Sequence, residues 1–61
     1  MYRDEAIAFI MTGLIDAGAC RRDEAREQAE HLLDEYLHDP AYRVEGVDVP
    51  VEFVADLIAN L

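Results

Sequence analysis

The residues best suited to chemistry form a charged row between Glu24 and His38. The row carries carboxylates and two histidines at spacings of three and four residues, namely Glu24, Glu27, His31, Asp34 and His38. On a helix these spacings place all of them on one face, where a histidine and a carboxylate can share a divalent metal ion. The same spacing lets Glu27 support a charged His31, and Asp34 a charged His38.

This charged row lies opposite the apolar stripe of its own segment, so we expect it to be solvated. Amphipathic helices ordinarily expose such a face. A metal site also needs outer groups that hold its ligands in place, and a single exposed helix supplies few of them. The sequence therefore predicts no metal and no cofactor here, and a pH-responsive contact is the alternative because histidine titrates near neutral pH.

The composition excludes several kinds of catalysis. The chain contains no lysine and no serine, and Cys20 is its single cysteine. Schiff-base chemistry, serine nucleophiles and an internal disulfide are therefore excluded. The sequence has no glycine-rich phosphate loop, no paired-cysteine motif and no histidine pair of the metalloprotease type. We expect a protein that is not an enzyme.

The only cluster of arginines lies near the start of the second predicted helix, at Arg21, Arg22 and Arg26. A helix N-terminus would help such a cluster to bind an anion. The surrounding acids favour the simpler interpretation, which is that the arginines form surface ion pairs.

Size and charge limit the possible partners. The chain has 61 residues and a formal net charge of -9, so it repels phosphate backbones and we expect no direct binding to nucleic acid. A basic partner protein is electrostatically compatible. No segment approaches the ~20 apolar residues of a membrane span, and no secretory signal is recognisable, so we expect a cytoplasmic protein without a membrane partner.

Apolar residues at helical spacing predict three helices, over residues 3–17, 21–38 and 50–60. A short connection near Gly18 favours antiparallel packing of the first two, and a longer loop permits the third to cross them. The sequence thus predicts one domain over residues 1–61 of the all-α class. Its architecture would be a small three-helix domain, in which an antiparallel helical hairpin is joined by a shorter third helix after an irregular loop.

Local signals place the ends of these helices. Gly18 is suited to the left-handed residue that closes the first helix, and Cys20 with Asp23 would form a weak capping box for the second. The pair Asp39-Pro40 should end the second helix. Asp48 should cap the third helix, with Pro50 as its first residue.

The segment 41–49 allows two conformations. Its alternating valines would fit a small hairpin that turns at Glu45-Gly46. We favour an extended loop whose valines fill the space between helices. The predicted core comprises the inward residues of all three helices, namely Ile7, Ile10, Met11, Leu14, Ala29, Leu32, Leu33, Tyr36, Val54, Leu57 and Ile58.

The first helix is apolar over most of its circumference, which is typical of a central helix or of one lying between a core and a partner. Ala6 and Gly13 belong to a stripe of small residues where another backbone could approach. Tyr2 and Phe9 project on another side, and they would either cover the third helix and the valine loop or form an exposed aromatic patch.

These features predict a non-enzymatic protein–protein interaction module that forms a homodimer or binds a basic-surfaced protein. A chain this short buries only ~60% of its unfolded surface, and self-association is a common way to compensate. The predicted contact residues are apolar on the first helix and acidic on the second, namely Tyr2, Ala6, Phe9, Gly13, Glu24, Glu27, Asp34 and Glu35. The alternative is an acidic decoy, whose carboxylates imitate phosphates and inhibit a nucleic-acid-binding protein.

Overall fold

A computed structural model of the chain describes residues 1–38, 40–43 and 46–61, with only the backbone described at 42 and 43. These described residues form three α-helices, α1 (Arg3–Asp16), α2 (Ala25–Leu37) and α3 (Val51–Ala59), with a 3-10 helix at Pro40–Arg43. α1 packs against both α2 and α3, whereas α2 and α3 touch each other little. The predicted all-α, three-helix class is confirmed.

α1 is the central helix because its inward residues meet both neighbours. The core consists of buried residues from all three helices and from the segment before α3, namely Ala6, Ile7, Ile10, Leu14, Ala25, Ala29, Leu33, Val49, Val54 and Leu57. The accessible surface is 4177 Å², close to the ~4,000 Å² expected of a compact folded chain of this mass.

Most of the predicted core is confirmed, but Tyr36 is not part of it. Met11, Leu32 and Ile58 pack against the core as partly buried residues. Tyr36 is 41% exposed, because its ring lies at the edge of the space between α2 and α3. There its hydroxyl keeps a polar partner, as tyrosine usually does.

Gly18 closes α1 as predicted, although the helix ends at Asp16, one residue before the predicted end. Ala17 caps the helix, and Gly18 adopts a left-handed conformation with φ of 70°. The amide of Ala19 donates to the carbonyl of Leu14 at 2.9 Å, which satisfies one of the free carbonyls at the helix end. Glycine suits this position because it has no Cβ to oppose a positive φ.

The predicted start of α2 was wrong by four residues, since the helix begins at Ala25 rather than Arg21. Cys20 does not cap it; Glu24 occupies the cap position and makes no side-chain cap hydrogen bond. The residues before Ala25 form a tighter turn, in which the amide of Glu24 donates to the carbonyl of Arg21 at 3.1 Å. Residues 21–24 are exposed, and the helix begins at Ala25, which is fully buried.

The other helix ends differ from the prediction by one residue. His38 adopts a left-handed conformation after Leu37 and ends α2; the predicted stop residue Asp39 lies outside the described residues. α3 begins at Val51, and Pro50 is its cap residue instead of its first helical residue. Asp48 does not cap α3, because its carboxylate lies 2.7 Å from the terminal ammonium of Met1.

The segment before α3 is held against the start of the chain. The amide of Val49 donates to the carbonyl of Met1 at 2.6 Å, next to an isolated antiparallel bridge between Tyr2 and Asp48. Val49 is fully buried, as expected of a valine that fills the space between helices. The 3-10 helix at Pro40–Arg43 replaces the extended chain expected there. The alternative hairpin turn includes Glu45, which lies outside the described residues.

Candidate protein-interaction surfaces

The outer face of α1 carries the two most exposed aromatic residues of the described chain. Tyr2 is 58% exposed and Phe9 is 55% exposed. They share one side of the helix with smaller or charged exposed residues, and we call this set the α1 outer face: Tyr2, Glu5, Ala8, Phe9, Thr12 and Asp16. These aromatic rings therefore form an exposed patch, and they do not cover the third helix or the valine loop.

The stripe of small residues does not belong to this outer face. Ala6 is completely buried in the core, so its predicted place on a contact surface was wrong. A Cβ built at Gly13 would lie 3.1 Å from Leu61 Cδ1 and 3.4 Å from Ile58 Cγ2. The close approach at Gly13 is therefore made by side chains from the α3 end of the same chain, and not by another backbone as predicted.

The predicted acidic contact residues on α2 divide into two groups. Glu24 and Glu27 are exposed, as predicted. The carboxylate of Asp34 instead accepts a hydrogen bond from Arg3 Nη1 at 2.8 Å, with side chains only 30% and 17% exposed. Asp34 therefore joins the end of α2 to the start of α1. Its expected place on a fully solvated face was wrong, because a long arginine side chain reaches it from α1.

The histidines of the charged row do not pair as predicted. His31 Nε2 lies 3.4 Å from Glu35 Oε1, one turn later, and both side chains are more than half exposed. Asp34, the expected partner of His38, is engaged by Arg3. Among the described residues, no cluster of three or more histidine, cysteine or carboxylate side chains could hold a metal ion.

Ion pairing accounts for part of the arginine cluster. Arg26 Nε lies 3.3 Å from Glu30 Oε1, one turn along α2. Arg22 lines a groove of about 450 Å³ beside the α1 outer face, together with Ala8, Met11, Thr12, Ile15 and Asp16. The groove places an arginine at one end of a largely apolar surface.

A second groove, between α2 and α3, was not predicted from the sequence. It encloses about 360 Å³ and is lined by residues of both helices and of the segments after them; we call it the α2–α3 groove: Leu32, Glu35, Tyr36, His38, Leu57, Asn60 and Leu61. Tyr36 and Phe53 meet edge to face beside it, with ring centroids 6.2 Å apart. The sequence carries no signal for it, because Tyr36 and Phe53 lie on separate helices whose spacing is not a local property.

Tyr36 also has a perturbed ionisation equilibrium. Its hydroxyl donates to Asp56 Oδ2 at 3.3 Å. The pKa of Tyr36 is raised above its ordinary value of 10.0, first by desolvation and then by the charge and the hydrogen bond of Asp56. All of these effects favour the neutral hydroxyl in the folded state.

The raised pKa predicts a specific loss of stability at alkaline pH. Because the pKa of Tyr36 is higher in the folded chain, Tyr36 stabilises the fold fully at pH values below 10.0, its pKa in the unfolded chain. This contribution is lost as the pH rises through the higher pKa of the folded chain. We expect the melting temperature of Tyr36→Phe to fall less than that of the wild type between neutral pH and pH above 10. The chain has no lysine, so no lysine side chain contributes to the measurement in this pH range.

The exposed Tyr2 supplies the control for this measurement. Tyr2→Phe removes an equivalent hydroxyl from the α1 outer face, and its alkaline melting profile should follow that of the wild type. Circular dichroism gives the melting temperatures, and tyrosinate absorbance gives the titration. Identical alkaline profiles for Tyr36→Phe and Tyr2→Phe would contradict the assignment of the loss to Tyr36.

No helix in the described ranges combines the length and the apolar content that crossing a membrane requires.

No known protein family matches the chain, and comparisons with curated proteins and with solved structures found no similar protein.

Proposed function

We propose that the chain is a cytoplasmic, non-enzymatic interaction module that pairs with a second copy of itself through the α1 outer face. The observation that carries this proposal is the exposure of two large aromatic residues, Tyr2 at 58% and Phe9 at 55%, on the central helix of the fold. Aromatic side chains contribute much of the binding energy of protein interfaces when they become buried.

The position of Phe9 suits a twofold symmetric contact. α1 extends from Arg3 to Asp16, so Phe9 lies at the middle of the helix. In an antiparallel pair of α1 helices centred there, the two Phe9 rings meet, and each residue faces the one equally far on the other side of Phe9. Symmetric dimers use such self-complementary surfaces.

The same arrangement keeps like charges apart. The outer-face residue nearest to Glu5 of the other copy is the uncharged Thr12, and Asp16 falls opposite Tyr2, whose hydroxyl can donate a hydrogen bond to a carboxylate. The acids of the α1 outer face therefore do not oppose each other. Antiparallel helices also align their dipoles favourably.

The size of the contact sets the expected strength of the pair. A standard interface buries ~800 Å² on each partner, which is about one fifth of the 4177 Å² of this chain. A single helix face supplies less than that area, so we expect dissociation in the micromolar range, near 1–100 µM.

We propose no chemical reaction for the chain. Both histidines are exposed on α2 or at its end, and the two grooves described above are open to solvent. Catalytic groups usually need an enclosed site whose environment shifts their pKa values. These surfaces are better suited to recognition than to catalysis.

Replacing Phe9 tests the proposal directly. We expect Phe9→Asp to shift a dimer to monomer and to raise the dissociation constant at least about 30-fold, because loss of an aromatic anchor at the centre of an interface costs ~2–4 kcal/mol. Helix content should remain close to that of the wild type, since Phe9 is 55% exposed in the single chain. Sedimentation equilibrium measures the association, and circular dichroism measures the helix content.

Val51 offers a matched control, because it is also apolar and 55% exposed but lies on α3. Val51→Asp introduces the same charge and should leave the dimer intact. A wild-type protein that stays monomeric at high micromolar concentration would refute the self-association hypothesis. Equal dissociation by both variants would show that added charge acts without regard to position.

The dependence of binding affinity on salt concentration distinguishes self-association from binding to a basic or nucleic-acid-binding partner. Two copies that each carry a formal charge of -9 repel each other, so added salt should strengthen the homodimer. The acidic-decoy alternative, supported by the exposed Glu24 and Glu27, predicts the opposite, a complex that weakens steeply as salt rises.

A further inference from the structure

We propose that the α2–α3 groove binds an amphipathic helix with a basic flank from a partner protein. This inference goes beyond self-association, because it concerns a different surface and a different occupant. It is built on the shape of the groove, on the exposure of its apolar residues, and on the distribution of charge around it.

The groove exists because α2 and α3 both pack on α1 but touch each other little. The main direct links are the edge contact of Tyr36 with Phe53 and the hydrogen bond of Tyr36 to Asp56. Leu57 is buried and Leu32 is half-buried, so together they form an apolar floor.

The borders of the groove leave apolar surface in contact with water. Of the lining residues, Tyr36 is 41% exposed and Leu61 is 42% exposed; Phe53, which contacts the Tyr36 ring, is 38% exposed. Apolar residues that line a groove and stay partly exposed mark interaction sites more often than isolated surface residues do. α3 has nine residues, which corresponds to a length of ~13 Å. A groove of this length matches two to three turns of a bound helix, which would insert apolar anchors at i, i+3, i+4 and i+7.

The charged residues around the groove indicate which kind of partner helix would bind there. Glu35 lines the groove, and the carboxylate of Asp56 accepts the hydrogen bond of the lining residue Tyr36. The arginines whose side chains are described lie elsewhere. Arg3 pairs with Asp34, and Arg26 pairs with Glu30. Arg22 lines the other groove, and Arg21 lies before α2. Among the arginines with described side chains, none lies beside these acids. The basic groups described there are histidines: His31 Nε2 lies 3.4 Å from Glu35 Oε1, and His38 lines the groove.

A second copy of this chain fits the groove poorly. It would bring a further formal charge of -9 to a surface that already carries Glu35 and Asp56. A helix with arginine or lysine beside its apolar stripe would place cations near these carboxylates, which favours encounter and orientation. The occupant is therefore a basic amphipathic helix from another protein.

Two synthetic peptides test this assignment. Each is a helix of roughly 14 residues with leucines at i, i+3, i+4 and i+7, and the flanking positions carry arginine in one peptide and glutamate in the other. We expect fluorescence anisotropy to show binding of the arginine peptide at about 100 µM or tighter, and binding of the glutamate peptide at least about tenfold weaker. Amide chemical shifts should change around Leu32, Leu57 and Leu61.

A pair of double variants separates the groove from general attraction to an acidic protein. Glu35→Gln/Asp56→Asn removes two charges at the groove, and it should weaken binding of the arginine peptide about fivefold or more. Asp4→Asn/Asp23→Asn removes the same charge at exposed positions away from it, and should change the affinity by less than about twofold. Circular dichroism confirms that both variants keep their helix content.

Several results would overturn the proposal. They are no binding of the arginine peptide, equal binding of the glutamate peptide, equal weakening by both double variants, or shift changes centred on Phe9. The result is independent of the homodimer, because Phe9→Asp should bind the arginine peptide with unchanged affinity. A failure of self-association would therefore leave the groove assignment standing, and the reverse also holds.

Discussion

A Leu33→Ala variant is expected to lose most of the stability of the fold. Leu33 is fully buried on α2, where it belongs to the core that α1 shares with both neighbours. Leucine-to-alanine changes in a core cost ~2–5 kcal/mol, because the surrounding residues close the cavity only in part. A single core of this size rarely supplies more than ~3–5 kcal/mol in total. The expected decrease in melting temperature is therefore on the order of 10–30 °C.

The neighbouring leucine provides the control for this measurement. Leu32 is half-buried beside the α2–α3 groove, so Leu32→Ala removes the same atoms from a site that water already reaches. Urea and thermal unfolding followed by circular dichroism should show a clearly smaller loss for Leu32→Ala. All variants should be compared at one protein concentration, since dimerisation makes stability depend on it. A Leu33→Ala variant that unfolds within a few degrees of the wild type would refute the assigned core.

The fold class could be predicted because helix periodicity is a local property. Apolar residues repeat every three or four positions in each helical segment, and Gly18 supplies a local signal for the end of α1. The start of α2 was harder to predict, because the charged residues 21–24 have the helix propensity to continue it. Only the packing of Ala25 against the core decides where the helix begins.

Contacts between distant parts of the chain explain the remaining errors. The pairing of Arg3 with Asp34 joins residues 31 positions apart, so the charged row on α2 gave no indication of it. The coverage of Ala6 depends on how the segments of the chain pack around α1. A helical wheel shows that these residues share a stripe, but it cannot show which neighbour lies against it.

The two candidate surfaces differ in how visible they are in the sequence. Tyr2 and Phe9 could be predicted on the outer side of α1, because each lies away from the positions of Ile7 and Met11 on one helix. The α2–α3 groove could not, because it arises from a gap between two helices that each present an apolar stripe. Tyr36 belongs to the stripe of α2 by periodicity, and only the spacing of α2 from α3 leaves it exposed.

Gly13 allows a prediction in which two substitutions have opposite effects. In Gly13→Ala the new Cβ would lie 3.1 Å from Leu61 Cδ1, and Leu61 is 42% exposed and can turn aside. Alanine is favoured over glycine inside a helix by ~1 kcal/mol. We therefore expect Gly13→Ala to keep or slightly raise the melting temperature.

Gly13→Leu must instead displace both Ile58 and Leu61, since they lie directly over the position of the new side chain. Overpacking of this kind typically costs ~1–3 kcal/mol, which is a large part of the stability of so small a core, and it should separate α3 from α1. Hydrogen exchange should then show loss of protection in α3 before α2, because α2 packs against α1 through other residues. If Gly13→Leu is as stable as Gly13→Ala, α3 does not lie against Gly13, and the arrangement of the third helix described above is wrong.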